Sequence, residues 1–184
     1  MATKPIINNK VSTNDLKLIL SAYQHWKVLN QSLKAFASRT VNFPEAISEA
    51  LVCYELGYDW HNKTATKIVG DASFNDKLVE IKATSNFNSD LTSFSPDTKF
   101  DILIFARLNL AEDKLYLYNL NLNFSQFQLL QVNKTQTILQ QQESGRRPRL
   151  RIVESMILPN NLQPIAVMDL KILANKLGVT ATPV

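Results

Sequence analysis

The recurrence of apolar positions divides the chain into helical and extended stretches. From Thr13-Asn14, either of which can cap a helix, Leu16, Ile19, Leu20, Tyr23, Trp26 and Leu29 recur at the spacing of one helical face. The polar run Asn30-Gln31-Ser32 predicts a break, with a second piece from Leu33 to Ser38. A stronger amphipathic helix is predicted over Glu45 to Leu56, with Pro44 just before it and Gly57 just after it. Lys77 to Thr84 carries the β-favouring side chains Leu78, Val79 and Ile81. Side chains alternate across a strand, so Glu80 and Lys82 share one face while Val79 and Ile81 share the other. Phe100 to Ala106 is a continuous apolar run, the pattern of a buried central strand. Leu115 to Leu120 alternates and reads as its partner across a turn at Glu112-Asp113. A short helix is predicted over Phe124 to Val132 with Ser125 as its cap, and a closing helix over Ala166 to Leu177, ended by Gly178.

The stretches between these elements are informative in their own right. Residues 1–10 read as a loose leader, and Tyr58 to Lys67 as a connecting strand or loop. Ser85 to Lys99 is polar and turn-rich, and a loop of that length within a domain is often functional. Asn133 to Val153 is dense in Gln and Arg, is punctuated by Gly145 and Pro148, and resumes an extended run at Leu150. Arg and Gln suit base edges, Arg pairing with guanine and Gln with adenine through two hydrogen bonds each.

Composition and charge narrow the class. The 184 residues suffice for one domain, and 45% hydrophobic with 20% charged residues is ordinary for a globular protein. The net charge of +4 permits a polyanionic partner without requiring one. Its distribution says more. Residues 1–44 hold six basic residues against the single acid Asp15. The next sixteen hold four acids and no Lys or Arg, and 134–151 hold five basic residues against Glu143. An acidic centre between basic arms suits placement of metal ions against a phosphate backbone. Cys53 is the only cysteine, which excludes an internal disulfide, and it falls in an apolar helical pattern. His25 and His61 have no zinc-site spacing. The polar amino terminus and the absence of a membrane-length apolar run predict a cytoplasmic protein with no membrane partner.

The candidate chemistry gathers around strand 77–84. Gly70-Asp71 lies nine positions before Glu80, and a turn at Asn75-Asp76 would place Asp71 and Glu80 on two strands of one hairpin. Two carboxylates and a lysine can hold a divalent metal and activate a water. On the preceding helix, Glu45 and Glu49 share a face. The helix dipole accounts for the first-turn Glu45, so Glu49 is the better candidate for a third acid. Taken alone, Glu80 and Lys82 read as an exposed surface ion pair.

Gly70-Asp71, Val79-Glu80-Ile81-Lys82 and the helix bearing Glu49 resemble the PD-(D/E)xK nuclease superfamily. The helix Phe43 to Leu51, the phrase Glu80-Ile-Lys-Ala-Thr84, the loop Thr92-Ser-Phe-Ser-Pro96 with the run that follows it, and Gly145-Arg-Arg-Pro-Arg149 resemble small type II restriction endonucleases within it. The sequence departs from the pattern in one place, where Gly-Asp replaces Pro-Asp. The resemblance implies an α/β fold, with a mixed central sheet flanked by helices and Asp71, Glu80 and Lys82 on adjacent strands. It implies a single nuclease domain, with an amino-terminal helical region (1–42), a catalytic core (43–120) and recognition and closing elements (121–184). It further implies Mg²⁺-dependent hydrolysis of double-stranded DNA at a short specific sequence. Asp71, Glu80 and the Ile81 carbonyl would ligate metal, Lys82 would act on the attacking water, and Glu49 would hold a second metal or a metal-bound water. Arg146, Arg147 and Arg149 are first choices for DNA contacts, Ser93 and Ser95 second, and Lys134 and Gln141 further candidates. A palindromic target calls for a homodimer, and the face with Tyr23 and Trp26 would serve as its surface or as core. Two other readings stay open: a structure-specific repair or junction-resolving nuclease with the same centre, and a non-catalytic DNA-binding protein.

Overall fold

The computed structural model describes residues 10–37, 40–61 and 70–180; the expected leader up to residue 9, Ser38, and most of the 58–67 connection lie outside them. Helix α1 spans Thr13–Lys34. Its cap is Ser12, one residue before the expected pair, closed as a capping box with Asp15. The expected break at 30–32 does not occur. Asn30 is buried and its side-chain oxygen accepts the Val41 N–H at 2.9 Å, so its polarity is answered by tertiary contact and the helix runs on. Tyr23 and Trp26 are buried: the Tyr23 hydroxyl donates to Asp113 at 2.6 Å, and the Trp26 Nε1–H faces the carbonyls of Val41 and Asn42. They serve the core. Helix α2 occupies Glu45–Leu56 as expected, ending where Gly57 adopts φ 66°.

The strands are β1 (Asp59–Trp60), β2 (Ala72–Phe74), β3 (Lys77–Thr84), β4 (Thr92–Ser93), β5 (Ile102–Asn109), β6 (Lys114–Asn119), β7 (Arg149–Leu150) and β8 (Ala166–Asp169). Six of them form one mixed sheet in the order β1-β2-β3-β5-β6-β8, in which β3 and β5 run parallel and the other neighbours antiparallel. β4 and β7 form a separate two-stranded ribbon. The β2–β3 turn lies at Asn75-Asp76, both with positive φ, and the β5–β6 turn includes Asp113 at φ 54°.

Each face of the sheet carries its own apolar layer. Val79 and Ile81 of β3 and Ile104 and Ala106 of β5 pack with Leu16, Leu20, Trp26, Leu51 and Leu170 from the long helices and the closing helix. Leu103 and Phe105 point the other way, into a layer with Phe94, Phe127, Ile138, Leu150 and Ile152. The register pairs Glu80 with Leu103 and Lys82 with Phe105, so both charged side chains emerge on this second face. The architecture is the expected mixed sheet between helices.

Several carboxy-terminal expectations change. Residues 166–177 are not one helix. Ala166–Asp169 pairs with β6 at the sheet edge, and Asp169 then caps the short helix α5 (Leu170–Lys176) through the Ile172 N–H. The cap of α3 (Phe124–Gln128) is Asn123 rather than Ser125. Within the Gln-rich stretch a helix, α4 (Ile138–Glu143), forms behind Thr137. The extended run after Pro148 stops at Leu150, and Val153–Ile157 winds into a π-helical turn.

Candidate active site

Asp71 sits immediately before β2 and its N–H donates to the Val79 carbonyl at 3.0 Å. Ala72 opposes Val79 in the β2–β3 ladder, so one further step of the register sets Asp71 opposite Glu80. The Asp71 Oδ2 accepts the Ile81 N–H at 2.7 Å, which ties the acid to the strand that bears Glu80 and Lys82. The Lys82 Nζ donates to Glu80 Oε1 at 2.7 Å and lies 5.8 Å above the Phe94 ring. Glu80 is only 7% exposed, so this is no solvated surface pair. The departure from Pro-Asp has a steric cause: Gly70 has φ +79°, which proline's ring forbids, and a Cβ there would come within 3.3 Å of the Val79 carbonyl oxygen.

Burial sets the electrostatics. It raises the Asp71 carboxyl above its usual value, opposed by Lys82 and the Ile81 N–H. Burial also raises Glu80, with Lys82 opposing and Asp71 adding to the shift. For Lys82, burial alone would favour the neutral amine, but Glu80 and Asp71 together outweigh it and hold the pKa above the ordinary lysine value. The trio is a desolvated cluster in which one ammonium, bonded to Glu80, also lies in the field of Asp71.

Helix α2 contributes two acids in different ways. Glu49 is buried, accepts the Trp60 Nε1–H at 3.0 Å, and is pushed up to about 7 by burial and then by Asp71. Glu45 is exposed and lines a cavity of about 400 Å³ together with Asp71, Glu80, Lys82, Ser93, Ser95 and Arg147. The expected third acid is Glu49, but it is Glu45 that lines the cavity with the trio. Its first-turn position is explained by the dipole, yet that same turn points at the strand. Lys99, in the long loop, also lines this cavity. A second cavity of about 470 Å³ continues past Glu45, Lys82 and Ser93 towards Asn42, Asn86 and Arg151.

The remaining candidates are not gathered there. Arg146 and Arg149 are exposed beside Arg147 but do not line either cavity. Lys134 lies in the exposed turn before α4, and Gln141 donates to Gln136 at 3.3 Å. Cys53 is buried, which pushes its thiol up. The His61 ring lies within hydrogen-bonding distance of the Gly70 carbonyl and the Ser73 hydroxyl, and His25 is exposed. Among the described residues no three His, Cys, Asp or Glu side chains converge as a ready metal cage. Two carboxylates beside main-chain oxygen instead suit a hard cation that keeps several of its waters.

The family model for the Bsp6I restriction endonuclease matches residues 11–159. The chain belongs to the Bsp6I restriction endonuclease family. The type II restriction enzyme Bsp6I from Bacillus sp. (strain RFL6) is 41% identical over 164 residues, which cover 88% of this chain and 92% of that enzyme. No solved structure matches. The enzyme is thus a type II restriction endonuclease, a site-specific deoxyribonuclease, with the sheet and helices of the PD-(D/E)xK core. The matched span includes α1, α2, β2, β3 and the Arg-rich segment, so every element that lines the cavities falls within it. No helix among the described residues of the enzyme is long and apolar enough to cross a membrane.

Proposed function

We propose that the enzyme cuts double-stranded DNA at a short specific sequence in the cytoplasm, using Mg²⁺ held by Asp71, Glu80 and the Ile81 carbonyl. The observation that carries this reading is the cross-strand placement of Asp71 and Glu80, with Lys82 bonded to Glu80 at 2.7 Å, on one cavity wall. The Ile81 N–H occupies Asp71 Oδ2 and Lys82 occupies Glu80 Oε1, leaving the second oxygen of each acid for a ligand. Mg²⁺, when bound, stabilises charge on the phosphate and lowers the pKa of a water. Lys82, bonded to Glu80 on the cavity wall, orients or deprotonates the attacking water, or neutralises the charge that develops on the phosphate. Glu49, behind the cavity wall, would hold a second ion or a water of the metal when ionised, and Glu45 would do so from the open side.

Arg147, Ser93 and Ser95 contact DNA at the scissile phosphate or the adjoining bases, since they share the cavity with the acids. Arg146, Arg149, Lys134 and Gln141 contact flanking phosphates or bases further out. A palindromic target would be met by a homodimer. The exposed apolar side chains Leu18, Leu29 and Phe36 on and just after α1 offer a surface for the second copy, in place of the buried Tyr23 and Trp26.

Incubation with plasmid or phage DNA tests the reading. Discrete fragments should form with Mg²⁺ and not with EDTA, while Lys82→Ala, Asp71→Ala and Glu80→Ala each bind DNA without cutting it. A Lys82→Ala protein cutting at the normal rate would sink the mechanism, and a smear without bands would sink sequence-specific cleavage.

A further inference from the structure

Asp90 is a buried acid, 6% exposed, in the middle of the long loop between β3 and β5, and it lies outside the catalytic trio. Its carboxylate accepts three hydrogen bonds. Thr92 Oγ1 donates at 2.6 Å, the Ile152 N–H at 3.0 Å and the Val153 N–H at 2.8 Å. The last two donors lie about sixty residues away, at the start of the turn that follows the Arg-rich segment. One side chain therefore joins the loop that carries Ser93 and Ser95 to the segment that carries Arg147 and Arg149.

The join continues along the backbone. Thr92 and Ser93 pair with Leu150 and Arg149, and the Phe94 N–H donates to the Pro148 carbonyl at 3.0 Å. A ribbon of two residues per strand is marginal by itself. It is held from below by Phe94, Leu150, Ile152 and Val153, all buried, and at its end by Asp90. Phe94 is the ring beneath Lys82, and Arg147 lies one residue before the Pro148 that bonds Phe94. A contiguous path thus leads from the Asp90 carboxylate through the ribbon to both Lys82 and Arg147. Elsewhere the loop is fastened by Arg107, which donates to the Phe87 carbonyl and covers the Phe87 ring at 3.9 Å.

We propose that Asp90 is a positioning residue that locks the Arg-rich segment to the catalytic strand, so that DNA contact at Arg147 stays in register with chemistry at Lys82. The proposal rests on the catalytic reading of Lys82 given above. Nothing in it requires Asp90 to touch DNA or metal. Its effect is on register: a displacement of the ribbon by about 1 Å is enough to cost roughly 100-fold in rate.

The test uses Asp90→Asn, which keeps size and removes the charged acceptor, and Thr92→Val, which removes only the hydroxyl donor. Active-site-titrated enzyme is assayed under single turnover on its own mapped site and on that site with one base pair changed. Binding is measured on both without Mg²⁺. Asp90→Asn is expected to lower the saturating rate at least tenfold, to change affinity for the site by less than about threefold, and to shrink the ratio between site and altered site. Thr92→Val should lower the rate and shrink the ratio by less, with affinity again within about threefold. A merely structural acid would lower thermal stability and active fraction while leaving the per-site rate and that ratio unchanged, and this result overturns the proposal. If Asp90→Asn does not fold, a wild-type ratio in Thr92→Val overturns it instead. Lys82→Ala, run in parallel, separates the two failures: if it is inactive while Asp90→Asn is normal, only the positioning role falls, and if it cuts normally, the catalytic reading falls with it.

Discussion

Replacing Glu49 by Gln should stabilise the metal-free enzyme, by an amount that grows as pH rises from 4.5 to about 7 and is constant above. Glu49 is buried and held to Trp60 at 3.0 Å, and burial followed by the Asp71 charge places its carboxyl at about 7 against an ordinary 4.5. Below pH 4.5 the acid is protonated in both folded and unfolded chains and costs nothing. Between 4.5 and 7 the unfolded chain releases the proton while the folded chain keeps it, so stability falls by about 1.4 kcal/mol for each pH unit and levels off above 7. The whole loss is about 3 kcal/mol. Gln cannot ionise, fills nearly the same space, and its side-chain oxygen can still accept the Trp60 N–H. Glu49→Gln should therefore match wild type at pH 4.5 and exceed it by about 3 kcal/mol at pH 8.5, about 6–12 °C in Tm for a chain of this size. Thermal or urea melts in EDTA at the two pH values decide the matter. An equal difference at both pH values, or a variant less stable at pH 8.5, would refute the assignment of that proton to Glu49. The same variant should lose cleavage activity if an ionised Glu49 assists the metal, so greater stability and lower activity would come from one substitution.

Three further outcomes follow from the geometry. Arg147→Ala should weaken binding to the cognate site by about 1–3 kcal/mol if the guanidinium reads a guanine, checked by titration against cognate and altered duplexes; an unchanged sequence preference removes it from that role. Asp113→Gly removes the acceptor of the Tyr23 hydroxyl and of Lys27, while easing the φ of 54°, and should cost about 1–3 kcal/mol in a urea melt by leaving a buried hydroxyl unpaired. Leu18→Glu combined with Leu29→Glu should convert a homodimer to monomer by light scattering without lowering Tm, since both side chains are exposed; an unchanged mass would move the interface elsewhere.

Much of the site was legible because its decisive features are local. Pro44 and Gly57 bracket α2, the alternation from Lys77 to Thr84 marks β3, and Asn75-Asp76 closes the hairpin that brings Asp71 across from Glu80. Each depends on neighbours within a few residues, where periodicity and turn chemistry act directly. What the sequence left open depended on partners distant in the chain. Asn30 resembles a helix breaker until Val41 satisfies it, and residues 166–169 resemble the start of a helix until the free edge of β6 pairs with them. Whether Glu80 and Lys82 form a solvated pair or a desolvated centre depends on the layer containing Phe94 and Phe105, which no local pattern displays. Glu45 and Glu49 are indistinguishable by helical spacing, and only packing sends one to the cavity and the other to Trp60. Helix α2, strands β3, β5 and β6 and the candidate acids and lysine of the site are readable from the chain alone, because local propensity and chemical type are properties of neighbouring residues. The tertiary structure alone decided burial, and with it the proton affinities of the centre and the joining of residues 90–94 to 148–153, because desolvation and long-range hydrogen bonds exist only once the layers have closed.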